Sequence, residues 1–171
     1  MRHRGQKGFT LIEVLVAFFV LSIGLLGIVA LLGNSKMSQH QAVQRTRAVA
    51  LADSIKERIR INPAAMATYN IGLTPLGTND KRAEPEPDCS TEACTPAQLA
   101  THDLWGWEKQ LLGQGAMADN QGTAGLIQPT GCIVFTPAGA RTRTGQLSVI
   151  IQWRGLTETD DAVQNGDAVC G

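Results

Sequence analysis

Cys89, Cys94, Cys132 and Cys170 are the residues best suited to covalent chemistry, and all four lie in the second half of the chain. An even count suits two disulfides if that half sits in an oxidising compartment. Four cysteines allow three pairings. We favour Cys89 with Cys94, which are close enough to form a small ring, and Cys132 with Cys170. By the loop-entropy estimate the long closure contributes roughly 3 to 4 kcal/mol and the short one about 2. A zinc site is the rival, but Cys-x4-Cys has no matching second half and His102 is the only histidine nearby, so no metal is expected. Catalysis is not expected either. The histidines are His3, His40 and His102, and the chain holds neither a nucleophile-elbow motif nor a phosphate loop. The chain is therefore read as not an enzyme, with no cofactor and no small-molecule substrate.

One carboxylate stands apart. From Phe9 to Gly33 the only ionisable side chain is Glu13, and as a helix this run extends roughly 37 Å, enough to span a bilayer. Its Leu, Ile, Val and Phe residues gain about 0.3 to 0.6 kcal/mol each on insertion, against at most about 3 kcal/mol for one central carboxylate. Insertion wins. A buried core helix is the alternative, yet a domain this small could hardly bury an all-round apolar helix of such length. A signal peptide has a shorter apolar region followed by a small-residue cleavage site. Arg2, His3, Arg4 and Lys7 precede the run and should hold their side in the cytoplasm, which carries the polar remainder and its cysteines across the membrane.

Beyond Gly33 the elements that must position these residues can be read in order. Ala48, Leu51, Ala52, Ile55 and Ile59 recur at helical spacing, so the helix continues amphipathically, and Pro63 predicts its end near Ile61. Arg45, Arg47, Lys56, Arg58 and Arg60, interleaved with Asp53 and Glu57, read as a solvated helix face rather than a nucleic-acid surface. Residues 70–95 read as loop. Thr95 then caps a helix opening with Pro96 over PAQLATHDLWGWEKQLL, in which Gly106 is a weak point and Asp103 a candidate cap for a second piece. GCIVFTP and QLSVIIQW read as strands of a hairpin joined through AGARTRTG. Leu147, Val149, Ile151 and Trp153 form an apolar face that should cover the helix. Trp105, Trp107 and Trp153 are read as core or rim packing.

The stretch KGFTLIEVLVAFFVLSIGLLG resembles the N-terminus of type IV pilins and type II secretion pseudopilins. The resemblance implies that prepilin peptidase cuts between Gly8 and Phe9 and N-methylates Phe9, and that Glu13 is the family's glutamate. Within one chain the new amine at Phe9 and Glu13 are an i, i+4 pair. In a filament, family precedent pairs Glu13 with the Phe9 amine of a neighbouring subunit, which would neutralise a costly buried carboxylate. The alternative is that Glu13 only favours the positive end of its helix. Ala17, Gly24, Gly27, Ala30 and Gly33 would let helices approach closely, although Gly is in any case common in membrane helices. Many major pilins carry a proline in this half of the helix; here none precedes Pro63, and Gly24 and Gly27 are the candidate points of loosening.

The second half is similar to the PilV class of minor pilins, where an Asp-x-x-x-Trp helix precedes a terminal hairpin ending in Trp, matched here by Asp103, Trp107 and Trp153. The expected fold is α+β and pilin-like, a long N-terminal helix packed on a small C-terminal antiparallel sheet. Its expected parts are a cleaved leader over 1–8, a transmembrane and filament-core helix over 9–33, an amphipathic continuation over 34–62, and a periplasmic domain with a C-terminal β-hairpin over 63–171. The implied function is that of a minor pilin, held in the inner membrane by a single pass with its N-terminus cytoplasmic and later incorporated into a pilus. Its implied partners are prepilin peptidase, other major and minor pilins, and inner-membrane lipid. A type II secretion pseudopilin is the nearest alternative, and a pilus-displayed adhesin or DNA-binding module the next. Without Arg2, Arg4 and Lys7 the 15 basic side chains fall to 12 against 15 acidic, so nucleic acid is not an expected partner.

Overall fold

The computed structural model describes residues 8–77, 83–114, 117–118, 121–122, 125–155 and 170. Apart from Gly8, the leader expected over 1–8 lies outside the described residues. Helix α1 spans Leu11–Ile61, and a 3-10 turn, Pro63–Ala65, and helix α2, Met66–Tyr69, follow it. Strand β1 is Gly72–Leu76, helix α3 is Pro96–Leu111, and the short strands β2 and β3 are Met117–Ala118 and Gln121–Gly122. Strands β4, Thr130–Ala138, and β5, Arg141–Gln152, complete the order. The chain divides into two compact units, Met1–Ala42 and Val43–Gly171.

In the first unit the described residues up to Ala42 are α1 and its approach. Every side chain from Phe9 to Leu32 is exposed. The apolar residues go all the way round, so this stretch of helix has no inward face of its own. It runs uninterrupted through Gly24 and Gly27, and a Cβ placed at either would meet nothing within 4 Å.

In the second unit α1 shows one stripe. Gln44, Ala48, Ile55 and Ile59 are buried, with Leu51 and Ala52 half-buried between them. The helix ends at Ile61 because Pro63 has no N–H to continue the ladder; Asn62 N closes it by donating to the carbonyls of Arg58 and Ile59. Helix α3 opens on a full capping box: Gln98 N donates to Thr95 Oγ1 at 3.4 Å and Thr95 N to Gln98 Oε1 at 2.9 Å. No break occurs at Asp103. The helix passes unbroken through Gly106 because Ala100, Leu104, Trp107 and Leu111 are all buried on one face, and that burial outweighs a propensity penalty of about 1 kcal/mol.

The main sheet is antiparallel in the order β1-β4-β5, so the expected hairpin gains a third strand. The reading of 70–95 as loop is corrected at Gly72–Leu76, which pairs Gly72 with Ile133 and Leu76 with Gly131. Pro75 disguises this strand, yet a residue without an N–H is tolerated at a sheet edge. The hairpin turn is also tighter than expected. β4 and β5 stay in register from Thr130 opposite Gln152 to Pro137 opposite Gly145, and only Gly139 and Ala140 lie between the strands, Gly139 with φ +64°. Residues read as connection, Arg141 to Gly145, belong to β5. Leu147, Val149, Ile151 and Trp153 pack, half-buried, against the core built from Ile55, Ile59, Tyr69, Trp107, Leu111 and Ile133. The α+β architecture is thus a long N-terminal helix packed through its second unit on a small three-stranded antiparallel sheet.

Candidate assembly site

Gly8 and Phe9 precede the first turn of α1, and both are exposed. Phe9 keeps 83 % of its surface accessible. The helix begins when Thr10 O accepts from Glu13 N at 3.1 Å and from Val14 N at 3.3 Å. Glu13 therefore occupies the first turn, one turn after Phe9 and exposed. Negative charge is favoured there by the helix dipole. From there to Gly33 every side chain but one is hydrocarbon. The one hydroxyl in the run from Leu11 to Gly33 is Ser22, and its Oγ donates to Phe18 O at 2.8 Å, which removes the cost of carrying it into lipid or into a helix bundle. Among the described residues this is the one helix long and apolar enough to cross a membrane.

In the second unit the Asp103 and Trp107 pair acts as a fastening. Asp103 Oδ1 accepts from Arg58 Nη1 at 2.7 Å and Oδ2 from the Tyr69 hydroxyl at 2.5 Å. Asn62 Nδ2 donates to Tyr69 Oη at 3.5 Å and to Pro96 O at 2.8 Å. Burial, and after it the hydrogen bond to Asp103, pushes the Tyr69 phenol well above its usual value. One turn on, Trp107 is fully buried and its Nε1 donates to Leu51 O at 3.0 Å, tying α3 to the backbone of α1. Glu108, also buried, accepts from Gly77 N at 2.9 Å and so anchors the end of β1. Sequence reasoning did not single out Asn62, Tyr69 or Glu108. A lone tyrosine just past the end of α1 was the available signal, since a buried hydroxyl needs a partner.

The basic residues of α1 divide. Lys56 pairs with Asp53 at 2.7 Å and Arg60 with Glu57 at 2.6 Å on the exposed side, which fits a solvated face, whereas Arg58 is drawn to buried Asp103. Trp105 lies half-buried at the rim with Lys109 Nζ 3.6 Å from its ring centroid. The sulfurs of Cys89 and Cys94 are at disulfide distance with Cα atoms 5.5 Å apart, and those of Cys132 and Cys170 likewise with Cα atoms 6.0 Å apart. Cys132 and Cys170 are wholly buried.

Comparison with known protein families gives two adjoining matches. The prokaryotic N-terminal methylation motif matches residues 3–29. A Tt1218-like family, described as type IV pilin Tt1218, matches residues 30–105. No curated protein and no solved structure matches the chain.

Proposed function

Because this chain is a type IV pilin-like protein, a prepilin-type subunit of a structural family, we propose that it is a minor pilin of the PilV class. Processing by prepilin peptidase and assembly with other pilins follow from the family. The observation that carries the reading is a wholly exposed apolar run of helix up to Leu32 whose single carboxylate, Glu13, lies one turn after an exposed Phe9. A surface of that kind is stable only in lipid or among other such helices. The finer assignment is supported by Asp103 and Trp107, the residues of the PilV-like pattern, which fasten α3 to α1.

In this reading cleavage falls between Gly8 and Phe9, Phe9 is methylated, and residues 9–33 hold the protein in the inner membrane with the N-terminus cytoplasmic. Residues 34–62 continue the helix into the periplasm, where 63–171 form the exported domain. There Cys89–Cys94 and Cys132–Cys170 are covalent bonds, and peptide mapping without reductant checks them; a Cys89–Cys132 link would overturn the assignment. On assembly the Glu13 carboxylate meets the Phe9 amine of a neighbour, each neutralising the other as water is lost.

Glu13→Gln separates this role from anchoring. Membrane insertion should persist, since the substitution lowers the cost of burial, while the protein recovered in sheared filaments should fall at least ten-fold. Unchanged recovery would leave Glu13 with no part in assembly. Gene deletion distinguishes the pilus from its nearest relative: loss of surface pili and twitching supports the minor pilin, whereas loss of exoprotein release assigns the chain to a type II secretion machine.

A further inference from the structure

The acid-rich segment after β1 meets α3 at one histidine. His102 Nε2 lies 3.5 Å from Asp88 Oδ1 and 4.0 Å from Glu84 Oε1, and one donor atom from each of the three residues falls within 4.8 Å of the others. The Nε2 atom is sealed from solvent and has no hydrogen-bond partner. An imidazole nitrogen left in that condition loses a hydrogen bond's worth of stability unless something binds it. The two groups of that segment that face Nε2, Glu84 and Asp88, are both carboxylates.

We propose that Glu84, Asp88 and His102 form a binding site for a divalent transition ion of the zinc class, held by one imidazole nitrogen and two carboxylates. Metal–donor lengths near 2.0 to 2.2 Å place tetrahedral donors about 3.3 to 3.6 Å apart. The His102–Asp88 spacing already fits, and Glu84, whose side chain is 53 % exposed, is free to close the remaining gap. Asp88 is prepared for the task. Ser90 Oγ and Ser90 N both donate to Asp88 Oδ1, at 2.6 and 2.9 Å, and Thr91 Oγ1 donates to Oδ2 at 3.1 Å; these bonds fix the plane of the carboxylate, and an ion taking Oδ1 would displace one of the Ser90 donors. A soft-to-borderline ion is favoured over calcium or magnesium because one of only three protein donors is nitrogen. Three donors leave a fourth position for water or an incoming group. The ion would clip the 83–94 segment, with its Cys89–Cys94 ring, onto α3. The cysteine spacing predicts no metal in this chain, whereas the proposed donors are two carboxylates and an imidazole brought together by the fold.

The test is calorimetric titration of Zn²⁺ into the full chain in detergent, after removal of adventitious metal. One ion per chain with micromolar or tighter affinity is expected. His102→Gln and Glu84→Gln should each weaken it at least ten-fold, while His40→Gln leaves it unchanged. Glu84 is exposed enough that its substitution cannot act by unfolding the domain. With Co²⁺ as probe, visible absorption of tetrahedral intensity should appear and be absent in His102→Gln. Absence of saturable binding, affinity equal in wild type and His102→Gln, or Ca²⁺ binding as tightly as Zn²⁺, would each overturn the site and leave His102 as an ion-pairing residue for Asp88.

Discussion

Tyr69 is the chain's only tyrosine, which lets one residue be followed by its own ultraviolet absorbance. Its phenol is held above the ordinary value of 10.0 in the folded protein, so the unfolded chain releases that proton first. The resulting stability is fully present below about pH 10 and is lost as pH rises beyond it, by up to about 1.4 kcal/mol per unit. In an alkaline titration tyrosinate absorbance should appear only together with the loss of folded circular dichroism. A tyrosinate signal near pH 10 from a still-folded protein would contradict the buried hydrogen bond. Asp103 holds the other end of that bond. Asp103→Ala strands the Tyr69 hydroxyl and removes Arg58's partner, for an expected cost of about 2 to 3 kcal/mol in urea unfolding. Arg58 is partly exposed, so most of that cost belongs to the hydroxyl.

Helix α3 and strand β4 offer a paired test of where glycine matters. At Gly106 a Cβ meets nothing within 4 Å, whereas at Gly131 it would lie 2.6 Å from Trp107 Cη2 and 2.8 Å from Leu111 Cδ1. Gly106→Ala should raise stability by about 0.5 to 1 kcal/mol through helix propensity. Gly131→Ala should lower it by about 1 to 3 kcal/mol as the indole is displaced; thermal melts of the two variants should move in opposite directions. The elements differ in how far the sequence alone reveals them. The Thr95–Pro96 start, the stripe on α1 and the apolar face of β5 were legible because each is a local pattern. Strand β1 is not, because Gly72, Thr74 and Pro75 read as loop and only pairing with β4, Gly72 with Ile133 and Leu76 with Gly131, makes them a strand. A break at Asp103 seemed reasonable from Gly106 alone. It required knowledge of the acceptor site for Arg58 and Tyr69 to see that Asp103 faces inward, and such long-range partnerships leave no periodic trace. The proposed assembly segment is the reverse case: Gly8, Phe9 and Glu13 lie within six residues of one another, so reading them as a group needs no knowledge of the fold.

At the scale of the whole chain, closure of the C-terminus onto β4 joins residues 38 apart through Cys132 and Cys170. Replacing both with serine should cost roughly 3 to 4 kcal/mol by the loop-entropy estimate, read as the difference in denaturant titrations between the native protein and the double-serine variant, both without reductant. The division of α1 has a practical corollary. The first buried residue of the helix is Gln44, and everything ahead of it from Phe9 to Leu32 is uncovered. A shortened polypeptide starting at Val43 discards the greasy portion while keeping Ala48, Ile55 and Ile59 for the core. It should dissolve in plain buffer and melt cooperatively, whereas the intact molecule should need surfactant to stay dispersed. The boundary between extraction with micelles and handling in water is thus written into the roughly three turns of helix between Leu32 and Gln44.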